Sequence, residues 1–165
     1  MTIQMKKKWY VFGGIVIVGI SMLVQSCGKT ADTGCTPATI ESEKAQMVAF
    51  CTANNINYQT HSSGLLYEVV APGTGSYPKT TSTVSTFYIG KLLNGTKFDE
   101  TPGNVPATFS LSNVIEGWKI GIPLIKTGGK IKLVIPSALA YSCVGSGSIA
   151  PNSPLYFEVT LVAVQ

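Results

Sequence analysis

The chain has 165 residues, 45% of them apolar and only 12% charged, with a formal net charge of +4. That length holds one domain with a real core plus appendages, and the apolar content excludes disorder for the bulk of it. Three of the lysines are Lys6, Lys7 and Lys8 and arginine is absent, so nine lysines face eight acids beyond Cys27. A net charge of +1 without a basic stripe excludes nucleic acid as an expected partner.

Behind Lys6-Lys7-Lys8 runs an uncharged apolar stretch from Trp9 to Val24, ending at Gln25-Ser26-Cys27. A basic start, an apolar core and a small residue before the cut form a secretory signal. The run is short of the about 20 residues that span a bilayer. Val24-Gln25-Ser26-Cys27 resembles a bacterial lipobox, in which the cysteine is diacylated and becomes the first mature residue; Gln25 departs from that pattern. The reading is a lipoprotein signal over 1–26 and a lipid on Cys27. The exported domain then sits on a bacterial membrane, in the periplasm or at the cell surface. An uncleaved anchor and a plain cleaved signal are the alternatives, and both also export the domain.

A polar tether follows over 27–36. An N-terminal helix is expected over 37–60, with Thr36 as N-cap, Pro37 in the first turn and Glu41 and Glu43 near the positive end. Ile40, Met47 and Cys51 recur at helical spacing, so the helix buttresses the domain, and Asn54-Asn55 ends it. Cys35, Cys51 and Cys143 allow three disulfide pairings; the place of Cys51 on the apolar stripe favours Cys35–Cys143. None of them has metal-site spacing.

From Gly64 the period shortens to that of strands. Leu65–Val70, Val84–Leu93, Thr96–Asp99, Thr108–Leu111, Lys130–Ile135 and Leu155–Val164 read as extended, with Lys130–Ile135 alternating as a half-exposed strand. Asn94-Gly95 marks a hairpin, because both residues tolerate positive φ. Val114–Ile122 makes two to three helical turns, limited by Pro123. The fold class is therefore α+β, a curled antiparallel sheet of about five strands around one short helix, with the N-terminal helix added.

Several motifs now stand in order: Pro72-Gly73-Thr74-Gly75, Tyr88-Ile89-Gly90-Lys91-Leu92, Asn94-Gly95-Thr96-Lys97-Phe98-Asp99, Val114-Ile115-Glu116-Gly117-Trp118, Ile135-Pro136-Ser137-Ala138-Leu139-Ala140-Tyr141 and Pro154-Leu155-Tyr156-Phe157-Glu158-Val159. Their joint order and spacing resemble the FKBP family, the immunophilin-type peptidyl-prolyl isomerases, over residues 61–165. The resemblance implies a proline pocket walled by Tyr88, Phe98, Val114, Ile115, Tyr141 and Phe157, floored by Trp118, with Ile149 as a further apolar wall. Tyr88, Asp99 and Tyr141 are the implied catalytic positions, and the Ile115 amide and Tyr141 hydroxyl would hold ligand carbonyls. Phe109 and Tyr156 read as plain core, and Ala107 stands where many members carry a further aromatic.

The resemblance implies isomerisation of Xaa–Pro bonds in unfolded or extended polypeptides, with macrolides as inhibitors, no cofactor, no metal and a monomeric domain. A non-catalytic peptide-binding or chaperone module is the alternative. The lone His61 precedes the first of these strands and reads as a surface or capping residue. Feeding cells a labelled fatty acid is expected to mark the protein at Cys27, and Cys27→Ala should abolish the label; an unlabelled wild-type protein would exclude the lipoprotein reading.

Overall fold

The computed structural model describes residues 34–165. The signal over 1–26, the Cys27 lipid site and the tether as far as residue 33 lie outside the described residues. Seven strands form one antiparallel sheet: β1 (Gln59–Thr60), β2 (Leu66–Ala71), β3 (Thr83–Leu92), β4 (Lys97–Glu100), β5 (Ala107–Ser110), β6 (Lys130–Ile135) and β7 (Leu155–Val164). They pair in the order β1-β2-β6-β7-β3-β4, and β5 also pairs with β3. Six of the seven correspond to the extended segments read from the sequence, one more than the expected five; the seventh, β1, is a two-residue strand without periodicity to reveal it, and a break along one edge keeps β4 and β5 apart.

A side chain repairs that break. β3 pairs with β4 through Ile89–Lys91 and with β5 through Thr83–Thr86, leaving a gap opposite Phe87 and Tyr88. Thr101 is 9% exposed. Its Oγ1 accepts from the Tyr88 N–H at 2.9 Å and donates to the Thr86 carbonyl at 3.4 Å. Backbone groups that would otherwise be buried unpaired are satisfied, and Tyr88 is held in place.

The hairpin before β4 also differs in detail from the expectation. Of Asn94 and Gly95, only Gly95 takes positive φ. Its N–H donates to the Leu92 carbonyl at 2.9 Å, while the Asn94 side chain accepts from Thr96 N–H at 2.9 Å. The turn is thus of the longer kind that ends in a left-handed glycine, not a two-residue primed turn.

Two cores lie on the two faces of the sheet. The inner face carries Leu65, Val84, Ile131, Leu133, Leu155, Val159 and Leu161, packed against the short helix α2 (Glu116–Gly121) and the 3-10 turn Ile122–Leu124. The outer face carries Leu66 and Val134 beneath helix α1 (Ile40–Ala53), which contributes Met47 and Cys51. Val134 thereby overturns the half-exposed reading of β6, since α1 covers that end of the strand. Toward its start the strand remains two-sided, with Lys132 paired to Glu68 at 2.9 Å.

α1 is shorter than the expected 37–60. Its N-cap is Thr39, whose side chain accepts from Ser42 N–H at 3.2 Å, not Thr36. Residues before it are held extended: Asn152 accepts from Ala38 N–H at 2.9 Å and donates to the Thr36 carbonyl at 3.1 Å. Cys35 forms a disulfide with Cys143, and Cys51 is a buried free thiol. Asn54 caps the C-terminus, and Asn55 turns away with φ of 51°.

α2 rests very close to β6. A Cβ at Gly117 would fall on the buried Ile135 side chain, whose branched χ1 has little freedom to yield. Gly117→Ala should therefore lift the helix and lower the unfolding free energy by about 1–3 kcal/mol. Urea denaturation followed by Trp118 fluorescence would measure it, and unchanged stability would contradict the packing account.

Candidate active site

Strand alternation places Tyr88 of β3 and Phe157 of β7 on the inner face, above the N-terminal end of α2. Gly90 stands opposite Phe157 in the ladder. A Cβ there would lie 2.8 Å from both the Phe157 and Phe98 rings, so glycine is what admits the two aromatics side by side. Their ring centroids are 5.5 Å apart in edge-to-face contact.

Trp118, only 4% exposed, lies beneath them. Its ring meets Tyr88 at 5.3 Å, Phe157 at 5.4 Å and Phe109 at 5.7 Å, each edge to face. Such contacts contribute about 0.5–1.5 kcal/mol apiece beyond area burial, so the arrangement is stiff. The Trp118 Nε1–H is buried without a hydrogen-bond partner among the described residues.

Above this floor opens a cavity of about 280 Å³. That is slightly below the about 300–1,000 Å³ of most small-molecule sites, and suits one ring-sized group. Tyr88, Trp118 and Phe157 line it together with Val114 and Ile115 from the start of α2; Asp99 and Tyr141 add polar groups. Phe98 packs edge to face on Phe157, and Ile149, 6% exposed, packs within the core cluster; the residues that line the cavity include neither.

Phe109 and Asn113 also line the cavity. The plain-core reading of Phe109 is therefore corrected: half-buried in β5, it forms an aromatic wall two residues beyond Ala107. Its place at the end of a short edge strand, just before the turn into Val114-Ile115, was the available signal. Tyr156 does pack in a core, against Phe50 on the outer face at 5.2 Å.

The polar groups are ordered. The Tyr88 hydroxyl donates to Asp99 Oδ2 at 2.7 Å, and Glu100 N–H donates to Oδ1 at 2.9 Å. Burial, then the bond to the Asp99 carboxylate, pushes the Tyr88 phenol well above the ordinary tyrosine range. Ile115 is the N-cap of α2, a place where backbone N–H groups have no acceptor within the helix. Tyr141 follows the 3-10 turn Ser137–Leu139, and its carbonyl accepts from Val144 and Gly145 N–H at 3.2 and 3.1 Å.

The raised Tyr88 pKa has a stability consequence. Below the unfolded value of about 10 both states keep the proton and stability does not respond. Above it the unfolded chain releases the proton first, so stability is lost as pH rises toward the folded value. Unfolding free energies measured from pH 9 upward should fall less steeply in Tyr88→Phe than in wild type. Equal slopes would mean that Tyr88 is not held in its neutral form.

Comparison with known proteins agrees with this geometry. The family model described as FKBP-type peptidyl-prolyl cis-trans isomerase matches residues 75–162. The FKBP-type peptidyl-prolyl cis-trans isomerase FkpA of Aeromonas hydrophila is 40% identical over 129 residues, 78% of this chain and 48% of that protein. The outer membrane protein MIP of Legionella longbeachae is 38% identical over 130 residues, 76% of this chain and 55% of that protein. The crystal structure of a peptidyl-prolyl cis-trans isomerase from Pseudomonas syringae superposes with a TM-score of 0.65 at 34% identity, covering 79% of this chain and 98% of that one. The chain spans about half the length of the curated relatives it matches. With its fold, its motifs and the match over residues 75–162 in agreement, the chain belongs to the FKBP-type peptidyl-prolyl cis-trans isomerase family.

Proposed function

We propose that this protein accelerates cis–trans exchange at Xaa–Pro bonds in unfolded or extended segments of exported proteins, from a membrane-anchored position. The observation that carries the reading is the Trp118-floored cavity with the Tyr88–Asp99 pair at its side. Family membership supports it. A monomeric domain is part of this reading.

The chemistry asks little of the protein. Exchange must break partial double-bond character, a barrier of about 20 kcal/mol in water, and no covalent bond is made or cut. In the twisted state the amide loses resonance and its charge separation falls. An aromatic cage that strips water from the prolyl ring favours that less dipolar state over the planar ground state. Donors fixed in advance then hold the flanking carbonyls, a role suited to the Ile115 N–H and the Tyr141 hydroxyl. Asp99 keeps Tyr88 oriented and neutral against the ring. Val114 and Phe157 complete the apolar wall; Phe98 supports Phe157 through its edge-to-face contact, and Ile149 supports the wall from the core. The chemistry requires no metal or cofactor.

Anchoring through a lipid on Cys27, after a signal over 1–26 and a tether over 27–36, is part of the proposal. The lipobox-like Val24-Gln25-Ser26-Cys27 supports it. So do the Cys35–Cys143 disulfide, a bond suited to an oxidising compartment, and the likeness to a relative named as an outer membrane protein. The folded unit would then face the periplasm or the cell exterior, with residues 37–60 buttressing the isomerase domain of 61–165.

A second reading, holding extended chains without turnover, is favoured by Val105 and Val144. They are 74% and 78% exposed, in the segments that follow Asp99 and Tyr141. Refolding of a client whose slow phase is proline isomerisation separates the two. The isomerase reading expects a faster slow phase at substoichiometric protein, competition by a macrolide, and a rate lower by about tenfold or more in Tyr88→Ala or Asp99→Ala. Suppressed aggregation with an unaltered slow phase would instead establish the holding module.

A further inference from the structure

We propose that Glu43 is a positioning residue for the Tyr141 side of the pocket, acting from α1 through Ser137; this rests on the isomerase reading above. Glu43 lies well before the family match over residues 75–162, on the helix that covers the outer face of the sheet. It is nevertheless only 2% exposed. Both carboxylate oxygens are spent on one residue: Ser137 N–H donates to Oε2 at 2.8 Å and Ser137 Oγ–H to Oε1 at 2.5 Å. Among the described residues no lysine pairs with it.

A helix that merely buttresses a sheet needs no acid at such a position, where an apolar side chain would pack without the desolvation penalty of a carboxylate. The acid makes sense through what Ser137 carries. Fully buried, Ser137 opens the 3-10 turn that leads into Tyr141. Its carbonyl accepts from Ala140 N–H at 2.9 Å and Ser142 N–H at 2.8 Å, the two residues flanking Tyr141. A continuous chain of hydrogen bonds therefore runs from Glu43 through Ser137 to both sides of Tyr141. Catalytic geometry is sensitive to such support, since misplacement by about 1 Å can cost about a hundredfold in rate.

Two other fasteners join the same segments further along. The Cys35–Cys143 disulfide is one. Asn152 is the other, bonding Ala38 and Thr36 through its side chain and the Ser142 carbonyl through its N–H at 2.7 Å. They remain in a Glu43 variant, so the loop stays attached while Ser137 is released.

The test is a double-mutant cycle on the full chain with an Xaa–Pro peptide. Glu43→Gln should lower kcat/KM by about tenfold, and that loss should shrink to under about twofold in the Tyr141→Phe background. An equal loss in both backgrounds, or none in either, overturns the proposal. Should Glu43→Gln fail to fold, Ser137→Ala removes one of the two bonds and is expected to give a smaller loss with the same dependence on Tyr141. A wild-type chain without isomerase activity would sink the functional reading separately. Positioning is then decided by amide exchange at Ala140 and Ser142, expected about tenfold faster in Glu43→Gln with β3 and β7 amides unchanged; unaltered exchange at both refutes it.

Discussion

The site depends on how closely α2 can lie against β6. Gly117 faces Ile135 without a Cβ, and the next residue, Trp118, is thereby fixed beneath the inner face of the sheet. From there its ring meets Tyr88, Phe109 and Phe157 edge to face. A helix standing an ångström further out would leave those rings without a common partner and open the floor to water. Gly90 makes the matching allowance in the sheet, admitting Phe98 and Phe157 where a side chain would exclude them.

Around this floor the polar groups are few and already engaged. Thr101 closes the gap between β4 and β5 and fixes the Tyr88 backbone, while Asp99 fixes its hydroxyl. Tyr88 is thus held at both ends before any ligand arrives. For a reaction whose transition state is less dipolar than its ground state, a rigid and largely apolar cavity with a few fixed donors is sufficient. The N-terminal helix enters this picture through Glu43, which ties the outer face of the sheet to the turn before Tyr141.

Much of this was legible in the residues. Extended runs bounded by turn residues such as Asn94-Gly95, together with helical spacing, located β2 to β7 and both helices. The motifs brought Tyr88, Asp99, Val114, Ile115, Trp118, Tyr141 and Phe157 to one cavity. What escaped depends on distant partners. Thr36 looked like an N-cap, but Asn152, far away in sequence, holds that segment extended and passes the cap to Thr39. Phe109 read as core because an edge strand does not announce which of its faces meets a cavity. Glu43 read as a charge near a helix N-terminus; only the fold brings Ser137 to it. β1 is too short to have any period.

The central claim is that the Trp118-floored cavity lowers the barrier to rotation about a prolyl bond, beyond merely holding the chain. Exchange spectroscopy on an Xaa–Pro peptide, with resolved cis and trans signals and a catalytic amount of the protein, tests this most directly. The account predicts cross-peaks between the two isomers on the second timescale, where the free peptide exchanges over tens of seconds or longer, together with ligand-induced shifts at Trp118. Shifts at Trp118 without accelerated exchange would contradict it.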